Sequence, residues 1–298
     1  MSKIDKNVVI AILARDCGES LINNIPLVEE LRNKFIWSKV IVVENDSIDG
    51  TKEILSDWES TSDGVKIISQ DFGTKTIPDQ TAEIASPTTS YYRIEKMAFY
   101  RNIYLDYIST LQHDIDYVII IDIDIKWFSI DGLVNSMVEM RDNWGGIFSN
   151  GITKGKIWGV TSKIYYDIFA ICEYPLKDVF SFTEKSLDKS FKTINKNIKS
   201  NKFYSLISAF SGIGIYKYEA IKNLRYTVVK NSVNSNEAIC EHIPFNNEII
   251  KAGYRNYISR DFSVIYPMTH NIGLRLKLWI PSNIFNSIQG FYYKLRNL

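Results

Sequence analysis

Four aliphatic runs, Val8 to Leu13, Val40 to Val43, Val65 to Ile68 and Tyr117 to Ile121, alternate with stretches of helical spacing across the first 125 residues. Strands joined through helices are parallel, so this rhythm implies an α/β fold with a mostly parallel central sheet flanked by helices. The first crossover covers Ser20 to Phe35, where Pro26 marks a late helix start or a kink. Asp49-Gly50-Thr51 opens the second, with Ile54, Leu55 and Trp58 on its inner face. Residues 70–92, with Gly73, Pro78 and Pro87, read as a long irregular loop, and loops of that length in compact domains tend to be functional. Beyond residue 126 the alternation fades. Strand-like pieces at Gly146 to Phe148, Lys156 to Val160 and Ile213 to Tyr216 suggest a mixed second half.

The chain, of 298 residues, suits one α/β domain or two small ones. Its formal charge of +1 gives no bias toward nucleic acid. Cys17, Cys172 and Cys240 lie far apart without metal-ligand spacing and read as packing residues in a reducing compartment. The opening MSKIDKNVVIAILARD imitates a signal peptide, but its apolar run is short and lacks a cleavage pattern, so it reads as a first strand. With no apolar stretch near the ~20 residues needed to span a bilayer, the expected compartment is the cytoplasm.

In open α/β sheets ligands bind beyond the carboxyl ends of the strands. Three such ends carry polar clusters: Ala14-Arg15-Asp16, Glu44-Asn45-Asp46-Ser47 and Asp122-Ile123-Asp124. If the fourth strand persists to residue 124, Asp122 and Asp124 emerge on one face. Two like charges so close call for a cation or a shared proton between them. Glu44 and Asp46 suit a base and ribose. In the helix expected from Arg93 to Gln112, Arg101 projects into the middle of an apolar stripe. A guanidinium there needs an anionic partner, either an internal aspartate or a ligand phosphate, and Arg93 flanks the same edge.

"AILARDCGESLINNI" followed by "VIVVENDSIDGT" resembles the opening of GT-A glycosyltransferases, and "IDID" at 121–124 occupies the place of their DxD motif. "YYDIFA", "SAFSGIGIYK" and "CEHIPFNNEI" are similar to segments of bacterial and viral GT-A proteins of polysaccharide synthesis, and more distantly of fungal capsule-associated mannosyltransferases. The resemblance covers roughly residues 7–270. It implies a GT-A fold in residues 1–270, with a nucleotide-sugar-binding half to about residue 125 and an acceptor and metal half from 126. It also implies an enzyme that moves a sugar from a nucleoside-diphosphate donor to a hydroxyl of a glycan or lipid-linked acceptor.

On that resemblance Asp122 and Asp124 hold Mn²⁺ or Mg²⁺ against the diphosphate, with His270 as a third ligand or else a surface turn residue. Arg15, Glu44 and Asp46 meet the nucleotide, and Arg93 and Arg101 steady its phosphates. Glu241, just before the helix opened by Pro244, is the expected base or else a helix-stabilising charge; "EH" departs from the family's usual "ED". Asp167 contacts sugar hydroxyls or caps a loop. The alternatives are a sugar-phosphate nucleotidyltransferase, whose glycine-rich loop is reduced here to Gly18, and a catalytically silent carbohydrate-binding protein.

Two basic segments fall outside this scheme. Leu187, Phe191, Ile194 and Ile198 recur at helical spacing while six lysines between 185 and 202 take other faces; this helix either packs with a solvated lysine face or meets a membrane or acceptor. The amphipathic tail, residues 271–298, places Lys294 and Arg296 after Ile284, Phe285, Ile288 and Phe291. It suits either peripheral contact with the inner face of a membrane or packing against the domain.

Overall fold

The aliphatic runs form strands longer than their apolar cores. In the computed structural model, which describes residues 3–81, 84, 86–157, 160–175 and 180–267, β1 spans Ile4–Ala14, β2 Phe35–Asn45 and β3 Val65–Gln70. Helices α1 (Gly18–Arg32) and α2 (Thr51–Thr61) make the crossovers between them. The long α3 (Tyr91–Ser109) then leads into β4 (Tyr117–Asp122). β1 pairs in parallel with both β2 and β4, and β2 with β3.

Side chains alternate across this parallel unit. Val9, Ala11, Ile41, Val43, Val118 and Ile120 face the α3 side. Val8, Ile10, Ile12, Val40, Val42, Ile119 and Ile121 face α1 and α2, where Leu21, Val28, Leu31, Leu55 and Trp58 close over them. Burial on both faces is why these strands read as continuous apolar runs.

Helix α1 begins at Gly18 and runs through Pro26, so the proline does not mark a late start. Helix α3 begins two residues before Arg93, because Ser90 caps it by accepting the Arg93 amide at 3.3 Å.

The second half is mixed, as expected. After β5 (Trp127–Phe128) and α4 (Ile130–Glu139) come β6 (Trp144–Ile157), β7 (Val160–Tyr165), β8 (Ile171–Cys172), α5 (Glu184–Ser200), β9 (Phe203–Leu206), β10 (Ser208–Ala209) and β11 (Ile213–Lys217). Short α6 (Tyr218–Ile221), α7 (His242–Lys251) and β12 (Arg255–Ile265) complete the order.

The main sheet runs β3-β2-β1-β4-β11-β6-β12-β5, with β7 on β6 and β9 on β12. β11 returns antiparallel beside β4. Strand order reverses at β1, with β2 and β3 on one side and β4 on the other. The crevice at the carboxyl ends of β1 and β4 is therefore the switch point where such sheets bind ligands. Among the described residues no helix is long and apolar enough to cross a membrane. His270 and the tail 271–298 lie outside the described residues.

Candidate active site

A cleft of about 460 Å³ opens at this switch point, lined by the β1 end (Leu13 to Cys17), Asn45, Lys75, Thr76 and Ile77, the first turns of α3 (Arg93, Met97, Tyr100), and Asp122 to Asp124. β4 ends at Asp122 and the chain turns at once, so the acid pair does not alternate along a strand as expected. Both carboxylates still reach the cleft, because the turn is anchored from below. Ile123 and Ile125 are buried, and the fully buried Asn24 of α1 donates its amide to both of their carbonyls, at 3.0 and 2.6 Å. The Asp122 amide is held by the carbonyl of Gly212 at 2.8 Å. Gly212 has φ of 85°, and a Cβ there would meet the Tyr266 hydroxyl at 2.8 Å. Its role is to make this bend.

The two acids are not equivalent. Arg101, only 2% exposed, donates from Nη2 to both oxygens of Asp122 at 3.0 and 3.2 Å and from Nε to Glu241 at 2.9 Å. Arg101 therefore sits behind the cleft as an internal ion pair, the first of the two partners expected for it, and not as the phosphate-steadying group that the resemblance implied. Phe210 and Tyr226 pack over the guanidinium. Asp124 instead is exposed at the cleft. The protein crowded around it desolvates the carboxyl, and the charge of Asp122 adds to this, pushing it up to about 6.

Glu241 stands immediately before α7, as expected, but it is 4% exposed and tied to Arg101 rather than open to the cleft. Asp167 is half-buried in the same acidic group. Burial first, then the charges of Asp122 and Glu241, push its carboxyl up to about 7. Beside it Tyr166, 40% exposed, stacks on Tyr266 with ring centroids 4.1 Å apart.

Glu44 and Asp46 do not line the cleft. Glu44 is fully buried; one oxygen accepts the Ser47 amide at 2.9 Å and the other the Ser69 hydroxyl. Asp46 accepts the amides of Phe72 and Gly73 at 2.8 and 2.7 Å. Burial works against its charge, yet hydrogen bonds from Asn45, Gly73 and Phe72 together with Arg15 hold its carboxyl below the usual range. The expected nucleoside contacts are thus replaced by loop staples: the acids satisfy amides that have no strand partner.

Arg15 does line the cleft, where it also holds the 70–92 loop through the Thr74 carbonyl (2.9 Å) and the Thr76 hydroxyl (2.8 Å). Arg93 lines it too, with its Nε buried and unpaired. That orphan donor suits an anion. Lys75 and Thr76 escaped the sequence reading; the long loop itself was the only signal. Cys17 also lies at the cleft, but burial pushes its thiol up to about 12, which makes it a packing group rather than a nucleophile.

No protein-family model matches the chain, and no curated protein sequence matches it. Among solved structures, the mannosyltransferase PcManGT from Pyrobaculum calidifontis, determined in complex with GDP-Man and Mn²⁺, aligns with a TM-score of 0.50 at 14% identity over 90% of this chain and 59% of that one. The chain has the GT-A fold. Residues 1–349 of S. aureus TarS align with a TM-score of 0.44 at 12% identity, over 87% of this chain and 60% of that one. The chain spans about three fifths of the length of each neighbour.

A divalent cation fits the GT-A cleft found here. Among the described residues no group of three or more His, Cys, Asp or Glu side chains is arranged to hold a metal. Two hard carboxylates completed by water and ligand phosphates are nevertheless a normal Mg²⁺ donor set, and Mn²⁺ shares the preference for oxygen.

His242 is 2% exposed and stacked on Phe210 with centroids 3.6 Å apart. Burial, then the Arg101 charge, holds its imidazole well below the ordinary value, so it is neutral in the fold. The unfolded chain takes up that proton below about pH 6.5. The His242 contribution is therefore intact above that pH and declines as pH falls through it, by up to about 1.4 kcal/mol per pH unit. Asp124 and Asp167, with raised values, work in the opposite sense. Comparison with His242→Gln cancels their effect, and urea unfolding from pH 7 to 5 should show wild type losing stability relative to the variant.

Proposed function

We propose that the protein is a metal-dependent glycosyltransferase that moves a sugar from a nucleoside-diphosphate donor to a hydroxyl of a glycan or lipid-linked acceptor, in polysaccharide synthesis. The observation that carries this reading is the placement of Asp122 and Asp124 at the switch point of a GT-A sheet, facing Arg15, Lys75 and Arg93 across one cleft. Asp124, exposed in the cleft, offers a carboxylate to a cation, and Arg93, whose Nε is buried and unpaired, offers a donor to an anion; a metal-bound diphosphate meets both. That PcManGT was determined with GDP-Man and Mn²⁺ agrees with this.

Asp124, with Asp122 behind it, would hold Mn²⁺ or Mg²⁺, which when bound supplies positive charge to the departing diphosphate. Arg15 and Arg93 orient the phosphates, and Asn45 and Ile77 offer the wall for the nucleoside. The acceptor oxygen bonds to the anomeric carbon as the carbon–phosphate-oxygen bond breaks, and the electron pair leaves with the diphosphate. The hydroxyl proton passes to Asp167. A carboxylate with an affinity near neutral pH suits that task, whereas Glu241 is occupied by Arg101. The exposed face of Tyr166 adjoins this carboxylate and suits a sugar ring.

Incubation with a panel of nucleotide sugars and Mn²⁺, without acceptor, should release free nucleoside diphosphate from one donor. Pyrophosphate chemistry, or silence with sugar binding, would overturn the reading. Asp167→Asn should slow that release by about 10²-fold or more while the nucleotide affinity measured by calorimetry stays unchanged. Full activity in this variant would move the base elsewhere.

A further inference from the structure

We infer that the lysine face of α5 is a docking surface for an anionic lipid bilayer. Lys185, Lys189, Lys192, Lys196 and Lys199 are all exposed and recur at i, i+4, i+7, i+11 and i+14. At 3.6 residues per turn this spacing confines them to an arc of about 80° and a row about 21 Å long. Phe191, Ile194 and Ile198 occupy the opposite side and are buried in the domain, so the helix orientation is fixed and the lysines point outward. Thr183 sets the start of the helix through a capping box with Ser186.

The same helix carries only Glu184 and Asp188 as acids, in a chain whose formal charge is +1. The excess positive charge is thus concentrated along one ridge. The row ends at Lys199 with the helix; Lys202, two residues past its end, is paired with Glu139 and Asp261.

Two observations favour a bilayer over another polyanion. The row is straight and runs along the outer face of one helix, a shape suited to a plane rather than to a strand held in a groove. Next to its first two turns lies a cavity of about 320 Å³ lined by Phe169, Phe180, Phe182, Leu187, Lys189 and Cys240, with Tyr174 exposed at its edge. Aromatic surface beside lysines is the composition of interfacial segments on anionic lipid.

The test is co-sedimentation of the full chain with phosphatidylglycerol-rich vesicles at low salt, with neutral phosphatidylcholine vesicles as control. Wild type should sediment with the anionic vesicles only and be released by high salt. The combined variant K185E/K189E/K196E/K199E should partition at least about 10²-fold more weakly, since each lysine near an anionic surface is worth roughly fivefold. Its donor hydrolysis should be unchanged, because these residues lie outside the cleft. Should the charge-reversed protein fail to fold, the matching Lys→Gln set reads the same loss. Undiminished sedimentation of either folded variant would place any membrane contact elsewhere in the chain and overturn the proposal. So would wild type that binds soluble polyphosphate but stays in the vesicle supernatant.

Discussion

Asp124→Asn abolishes sugar release, with turnover falling by about 10²–10³-fold or more, the scale of losing one well-placed electrostatic stabiliser, while the protein keeps its stability. The reason lies in the unequal engagement of the two acids. Both oxygens of Asp122 already accept from Arg101, so Asp124, exposed in the cleft, is the carboxylate with lone pairs to offer a cation. A neutral amide is a poorer ligand for a hard cation and leaves the departing diphosphate uncompensated. Replacing the carboxylate by a neutral amide also removes the charge that burial, and then repulsion from Asp122, disfavour at this position, so the melting temperature should hold or rise slightly. Turnover with each candidate donor and a thermal melt check both halves. Near-normal turnover, or full wild-type activity in excess EDTA, would refute the metal role.

Arg101→Met produces the largest loss of stability, about 3–5 kcal/mol by urea unfolding, the cost of removing one partner from a buried ion pair. The guanidinium is wedged between Asp122 and Glu241 and covered by Phe210 and Tyr226. Without it two carboxylates face each other across a site that also contains Asp167. A second substitution separates charge from packing: in a Glu241→Gln background one orphaned charge is already gone. The cost of Arg101→Met should therefore shrink there by about 0.5–3 kcal/mol. A loss below about 1 kcal/mol in the wild-type background, the range of exposed pairs, would show that the ion pair is not buried in solution.

The spacing of apolar residues determined β1 to β4, the crossovers α1 and α2, and the long α3. Periodicities of two and 3.6 are local, and side chains a few positions apart carry them whatever the rest of the chain does. The same local logic placed Arg101 inside an apolar stripe and required an anionic partner for it. It also placed Arg15 and the Asp122–Asp124 pair at strand ends beside one another.

Which anion Arg101 finds was decided by tertiary structure. Glu241 lies 140 residues away and comes into reach only because α7, which it precedes, packs against β6, β10 and β12. Glu44 and Asp46 look on paper like ligand-binding acids at a strand end, yet the fold gives their oxygens to the amides of Ser47, Phe72 and Gly73. Whether a carboxylate faces a loop amide or the solvent depends on where the next loop crosses, and no short-range pattern records that. Asn24 is the converse case. One polar residue among Leu21, Val28 and Leu31 looks like a blemish on an apolar face until α1 docks and its amide meets the carbonyls of Ile123 and Ile125, about a hundred residues further on. The composition of the site was local, and its connections were set by packing across the switch point of the sheet.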